Sequence, residues 1–211
     1  EMHNPLVINA FNPTYGLPLI NKLEERLLLY YCYDEISHAH WCKKHGPRME
    51  ALFASKADAI ITTSEPLQHS KRAYNEKCYL VKNGVNIALF EQALAKKIKY
   101  QISDKAKIVG YLGTVDNRLD YELLELCIQK SPDVQFYFVG RVTYASGRAR
   151  LNGYDNTHFF GAMSPEQLPD YVAQFDVGII PFVRNGFTEN IYPLKINEYL
   201  AAGLPVITTN F

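Results

Sequence analysis

The sequence predicts an α/β protein of two parallel-sheet domains. Three observations carry that expectation. Short apolar runs of strand length recur along the chain, and most are separated by stretches with helical start or stop signals, an alternation that implies parallel strands joined by crossover helices. The runs fall into two series on either side of a segment from about Asn86 to Lys107 that is rich in Ala, Lys and Gln and reads as a connection between domains. Finally, 211 residues with 47% apolar and 21% charged side chains suit one to two globular domains at about 150 residues each, and exclude a disordered tail, a collagen-like fibre and a disulfide scaffold.

In the first series the strands are expected at LVINA (6–10), LLLYYCYD (27–34), AIITTS (59–64) and YLVKN (79–83). Ser64, followed by Glu65 and Pro66, has the form of a cap and first turn for a helix running to about Tyr74. The second series is clearer: IVGYLG (108–113), QFYFVG (135–140), THFFG (157–161), VGIIPF (177–182) and PVITTN (205–210), a doubly wound pattern. Ser164, Pro165 and Gln167 form a capping-box start for a helix ending near Phe175. Pro193 opens another helix, which Gly203 terminates. The expected division is therefore 1–85, 86–107 and 108–211. No internal repeat or low-complexity segment interrupts it.

Twenty-two Lys and Arg balance twenty-two Asp and Glu, so no overall field favours a nucleic acid or an acidic membrane, and any phosphate site must be local. Cys32, Cys42, Cys78 and Cys127 are scattered without CxxC spacing, which suits reduced thiols in the cytoplasm. The first residues lack a signal pattern, and no apolar run approaches the ~18 residues of a membrane span. A soluble cytoplasmic protein is expected, compatible with docking at the inner face of a membrane. The high aromatic content, fifteen Tyr and eleven Phe, fits generous cores or a stacking surface.

In an open parallel sheet, ligands bind beyond the carboxyl ends of the strands. The residues there share a character: Gly113 and Thr114 after one run, Gly140 and Arg141 after the next, Gly161 after the third, and Pro181 and Phe182 with Arg184 close behind after the fourth. Glycines would let backbone amides approach a ligand closely, and the arginines could offset phosphate charge. Most informative is TENIYPLKINEYLAAGLPVIT (188–208), where a proline-started helix places Lys195 and Glu198 one turn apart. The helix N-terminus carries about half a positive charge, Lys195 adds a full one, and Glu198 could accept hydrogen bonds from a ribose diol. The alternative is a surface ion pair worth about 0.2 to 0.5 kcal/mol. Leu194, Ile196, Leu200 and Ala201 argue against it, because they tuck this helix against the sheet.

PLKINEYLAAGLPVI, together with NGV (83–85), GYLGTVDNRLD (110–120) and FFGAMSPEQLPDYVAQFDVGIIPF (159–182), resembles the group 1, family 4-like glycosyltransferases of the two-Rossmann GT-B fold, with the motifs in the family's order. The resemblance is weak over 1 to about 55 and strong from about 58 to 211. It implies transfer of a sugar from a nucleotide-diphosphate-sugar, with a UDP-sugar favoured, to a hydroxyl of a glycan or lipid-linked acceptor in cell-surface polysaccharide or glycolipid synthesis. It also implies that Glu198 binds the donor ribose, that Lys195 lies near the diphosphate, that Gly113 and Thr114 contact phosphate or sugar, and that Phe160 and Gly161 mark the place of the base. One position departs from the pattern: many retaining members carry a second glutamate eight residues before the ribose-binding one, where this chain has Asn190, with Glu189 beside it.

YYCYDEISHAHW (30–41) resembles the end of an acceptor-side strand, where related inverting enzymes carry an Asp that deprotonates the acceptor. Asp34 is the candidate base, with Glu35 as second choice; a helix cap is the structural alternative for Asp34. His38, His40, Cys42 and His45 crowd together but match no standard metal site, and no D-x-D pair is present. No cofactor and no metal are expected. Against the family pattern the chain reads as a fragment cut at both ends, with a strand edge that invites self-association. Two other readings stay open: a non-catalytic nucleotide- or glycan-binding piece, favoured by Asn190, and a nucleotide-sugar epimerase, which should carry more acidic and histidine residues than the lone His158 of the second domain. A dinucleotide dehydrogenase would need G-x-G-x-x-G after its first strand, which Gly110-Tyr111-Leu112-Gly113 does not provide.

Overall fold

A computed structural model of the protein describes residues 3–38, 42, 44–100 and 106–211, with the side chains of all of these except 97–100. The chain forms two compact units, Glu1–Asn83 with Asn185–Tyr192, and Gly84–Arg184 with Pro193–Phe211.

The first unit is a four-stranded parallel sheet, β1 (Leu6–Ala10), β2 (Leu27–Cys32), β3 (Ala59–Thr62) and β4 (Cys78–Leu80), in sequential order. Helices α1 (Pro13–Gly16), α2 (Gly46–Lys56) and α3 (Glu65–Lys71) make the crossovers. Strands that step one way, joined by right-handed crossovers, gather their helices on one face. Burial in β2 alternates to match: Leu28, Tyr30 and Cys32 are buried with Phe53, Ile60 and Leu67. In β1 the outward residues Leu6 and Ile8 stay about half exposed. Ser64 caps α3 as its sequence predicts, accepting the Leu67 N–H, and its hydroxyl donates to the Asn190 carbonyl at 2.6 Å. With the Asn83 side-chain amide donating to the Tyr192 carbonyl, this ties segment 185–192 into the first unit.

The second unit begins with α4 (Ile87–Tyr100) and continues through β5 (Ile108–Leu112), α5 (Tyr121–Lys130), β6 (Gln135–Val139), α6 (Ala145–Leu151), β7 (Thr157–Gly161), α7 (Leu168–Val172), β8 (Val177–Ile180), α8 (Leu194–Ala201) and β9 (Val206–Thr208). All its strands are parallel, in the order β7-β6-β5-β8-β9. Strand order reverses between β5 and β8, so crossovers cover both faces and the ends of β5, β6 and β8 are buried in near-continuous runs. Tyr111, Phe138, Ile180 and Tyr199 lie at the centre of the core.

Two sequence expectations change. The stretch 86–107 is mainly a helix rather than a plain connection: Phe90 and Ala93, three residues apart, are buried in the second core, and α4 packs on α7 and α8. Ala88, Gln92 and Ala95, which contributed to the linker expectation, are exposed on that helix. Residues 185–192, expected inside the second domain, belong to the first unit. Several strands are also shorter than their apolar runs. β2, for example, stops at Cys32, and Tyr33 and Asp34 lie in the turn that follows. The Ser164–Gln167 capping box is present and opens a 3-10 turn, Pro165–Gln167, ahead of α7. All four cysteines are free thiols. Among the described residues no helix is long and apolar enough to cross a membrane.

Candidate functional site

The reversal of strand order opens a crevice at the carboxyl ends of β5 and β8. These strands pair only at Val109–Val177 and Gly110–Gly178. Beyond that point the Leu112 N–H turns to the Tyr199 hydroxyl at 2.7 Å, and the same oxygen lies 3.4 Å from the Ile179 carbonyl. Tyr199 is fully buried, and burial holds its hydroxyl protonated. Its ring rests on Gly178, where a Cβ would lie 2.5 Å from a ring carbon. The phenol thus anchors α8 in the split between the strands, and α8 carries the candidate polar side chains over the crevice.

One side of the crevice is made by the exits of β5 and β6. Gly113 and Gly140 have φ of +137° and +151°, and a Cβ on Gly140 would fall 2.0 Å from the Gly113 carbonyl oxygen. Only a glycine lets the two loops pass this closely. Past the contact they continue to pair: Val115 N–H donates to Arg141 O at 2.8 Å, and Thr143 N–H donates to Val115 O at 3.0 Å.

The resulting cleft, of about 530 Å³, is lined by Leu112, Gly113, Thr114 and Arg118 from β5 and its exit, and by Val139, Gly140, Arg141 and Thr143 from β6 and its exit. Ala162, Met163 and Leu168 follow β7, and Leu194, Lys195 and Glu198 come from α8. Lys195 lies beside Gly113, with its ammonium 4.8 Å from the centre of the Phe182 ring and 5.3 Å from that of Tyr111. Rings hold the cation without neutralising it. Among the described residues Lys195 forms no ion pair; burial, with Arg118 adding to it, lowers its pKa to about 8, against the opposite pull of Glu198 and Asp116. Burial raises the Glu198 carboxyl, and Lys195 opposes that rise. The pair sits in a partly dry cleft rather than on an open helix surface, so the ordinary surface-pair reading fails. Chemically the site offers a cation, a carboxylate and strand-exit backbone to a ligand carrying both negative charge and hydroxyls.

Of the residues expected from sequence, Gly113, Thr114, Arg141, Lys195 and Glu198 line this one cleft. Phe160 instead packs between Tyr137 and Tyr171, and Gly161, with φ +74°, makes the turn that delivers Ala162 and Met163 to the cleft. Arg184 is exposed outside the lining, and Asn190 belongs to the first unit, its amide donating to the Gly186 carbonyl at 2.6 Å. Sequence reading missed Arg118. Five residues beyond Gly113, it is set in the cleft by a bidentate pairing with Asp116, Nε to the two oxygens at 3.0 and 2.9 Å, and by the Phe182 ring 5.4 Å away. An Asp-x-Arg turn closing on itself was the available signal.

In the first unit, Asp34 lies in the turn after β2 and is only partly buried. Of the histidine and cysteine cluster, His40 lies outside the described residues, and no group of three or more metal-ligating side chains occurs among the described residues.

A family model described as Glycosyl transferases group 1 matches residues 106–211, half of the chain. The "Putative teichuronic acid biosynthesis glycosyltransferase TuaH" of Bacillus subtilis (strain 168) is 29% identical over 168 residues, covering 76% of this chain and 42% of its own. The fold is similar to sucrose-phosphate synthase from Thermosynechococcus elongatus, with a TM-score of 0.76 at 21% identity, covering 98% of this chain and 56% of the other. Anabaena Alr3699/HepE, solved in complex with UDP and glucose, gives a TM-score of 0.72 at 16% identity, over 96% and 59%. The chain therefore spans less than half the length of the curated relative, and its two parallel-sheet units have the GT-B architecture.

Proposed function

We propose that this chain, which belongs to the group 1 glycosyl transferases, supplies the donor-binding unit and part of the acceptor-side unit of an enzyme that transfers a sugar from a UDP-sugar to a hydroxyl acceptor in cell-surface polysaccharide or glycolipid synthesis. The observation that carries this reading is that the Lys195 ammonium, which forms no ion pair among the described residues, and the Glu198 carboxylate face one cleft at the β5/β8 reversal. A nucleoside diphosphate has the matching parts: the diphosphate lies against Lys195, Arg118 and the Gly113 and Gly140 backbone, and the ribose hydroxyls donate to Glu198. The base sits toward the exit of β7, near Gly161 and Met163.

The uridine preference draws on HepE, solved with UDP, and the polymer context on the name of TuaH. Both are carried over by similarity. Asp34, at the exit of β2, takes the proton from the acceptor hydroxyl as the donor's bond to diphosphate breaks. Arg118 and Lys195 stabilise the departing charge without a metal ion. The work is placed at the cytoplasmic face of the membrane, where a lipid-linked acceptor would be presented.

Calorimetric titration with UDP, GDP and ADP, each with magnesium and with EDTA, tests the donor assignment. Saturable binding of UDP alone, equal in both buffers and lost in Glu198→Ala, is the expected outcome. A folded sample that binds none of the three, or binds only with magnesium, overturns the metal-independent donor site.

A further inference from the structure

The first unit holds a charged cluster that the donor cleft does not use. Lys71, at the end of α3 and 2% exposed, places its Nζ 2.8 Å from both oxygens of Glu35 and 2.9 Å from Oε2 of Glu50. The other Glu50 oxygen accepts the Tyr30 hydroxyl at 2.8 Å, and Oε1 of Glu35 accepts the Ser37 hydroxyl at 2.8 Å. Side chains from β2, the turn after it, α2 and α3 thus converge on one ammonium shared between two carboxyl groups. Burial pushes both carboxyls up, yet Lys71 outweighs it at Glu35, which stays below its ordinary range, while Glu50 remains raised.

Such a cluster is a poor device for stability. Desolvating three charges cancels most of their attraction, and an apolar trio of the same volume often serves as well. Position is what the cluster adds. Next to it, the Tyr33 carbonyl accepts the Thr63 hydroxyl at 3.1 Å, and the Asp34 carbonyl accepts the Cys32 thiol at 3.5 Å. The residues on either side of Asp34 are therefore held by buried groups, while Asp34 itself is only partly buried. A reacting group placed precisely needs this kind of supporting shell.

We propose that Lys71 is a positioning residue for the acceptor-side chemistry: by clamping Glu35 and Glu50 it fixes the turn 33–37 and with it the carboxylate of Asp34. The proposal rests on the reading of Asp34 as the base that deprotonates the acceptor.

The test uses the full-length protein as wild type, Lys71→Met and Lys71→Arg. Two quantities are measured: amide hydrogen exchange of the segment 33–38, and release of UDP from UDP-glucose with octyl glucoside as the hydroxyl acceptor. In Lys71→Met, exchange at 33–38 should quicken by about tenfold or more while β5 and β8 are unaffected. The kcat should fall by about 10- to 100-fold with KM for UDP-glucose held within about twofold, as expected of a misplaced reacting group. Lys71→Arg should recover part of both. A folded Lys71→Met protein with unchanged exchange at 33–38, or with wild-type kcat, overturns the proposal. If the wild type releases no UDP while exchange responds to Lys71→Met, UDP-glucose with octyl glucoside is excluded as its substrate pair and the clamp on the turn stands. Should Lys71→Met fail to fold because it strands two carboxylates, the triple variant Glu35→Leu/Glu50→Leu/Lys71→Met removes all three charges and is put to the same measurements.

Discussion

The Tyr199 hydroxyl accepts the Leu112 N–H at 2.7 Å at the point where the β5 and β8 ladder has already ended. A side chain on α8 thereby completes the hydrogen bonding of a strand at the sheet's reversal, and the helix bearing Lys195 and Glu198 cannot shift without breaking it. Tyr199→Phe should destabilise the second unit by about 1 to 3 kcal/mol, because a buried N–H loses its partner. Thermal unfolding measures this; a melting temperature equal to wild type would mean that the contact anchors nothing.

Gly140 passes close over the Gly113 carbonyl beside the cleft. Gly140→Ala forces a methyl group to 2.0 Å from a carbonyl oxygen at a positive φ, and the loops must part. Strain of this kind costs about 1 to 3 kcal/mol. UDP affinity should fall in the folded variant, whereas Gly153→Ala, with nothing within 4 Å of the new carbon, should leave it alone. Equal affinity in both variants would remove the β5 and β6 exits from the donor site.

The proposed contact of Glu198 with the ribose is checked directly by ligand chemistry. Glu198→Ala should weaken UDP by about 1 to 3 kcal/mol through loss of a charged acceptor. For 2′-deoxy-UDP the same substitution should cost clearly less. Equal losses for the two nucleotides would place Glu198 away from the 2′-hydroxyl.

Lys195 gives the site a pH dependence with a definite sign. Its pKa is lowered to about 8 by burial and by Arg118, with Glu198, Asp116 and the Tyr111 and Phe182 rings as its other neighbours. A diphosphate favours the charged form, so binding takes up a proton once the free lysine has begun to lose its own. UDP affinity should therefore be flat near pH 7 and decline as pH rises through about 8. Lys195→Met should lower UDP affinity far more than uridine affinity and should flatten that decline. Calorimetry in buffers of different ionisation enthalpy counts the proton; the same slope in both proteins would assign it elsewhere.

Sequence by itself determined the alternation of strand and helix, the parallel sheets and five of the residues that line the cleft. Those features are local: strand-length apolar runs, a serine cap at 64, a proline before α8 and a glycine after it each act within a few residues. Lys195 and Glu198 were legible because helical spacing alone puts them on one face. Tertiary structure decided the rest. Helix α4 became part of the second core only when Phe90 and Ala93 found α7 and α8 to pack on, and 185–192 joined the first unit through Ser64 and Asn83. Arg118 entered the cleft through Asp116 and Phe182, and Lys71 met Glu35 and Glu50 across 36 and 21 residues of chain. Periodicity reports which face of an element is buried. Which distant partner fills that face, and which charges are brought together there, follows from the packing of the whole chain.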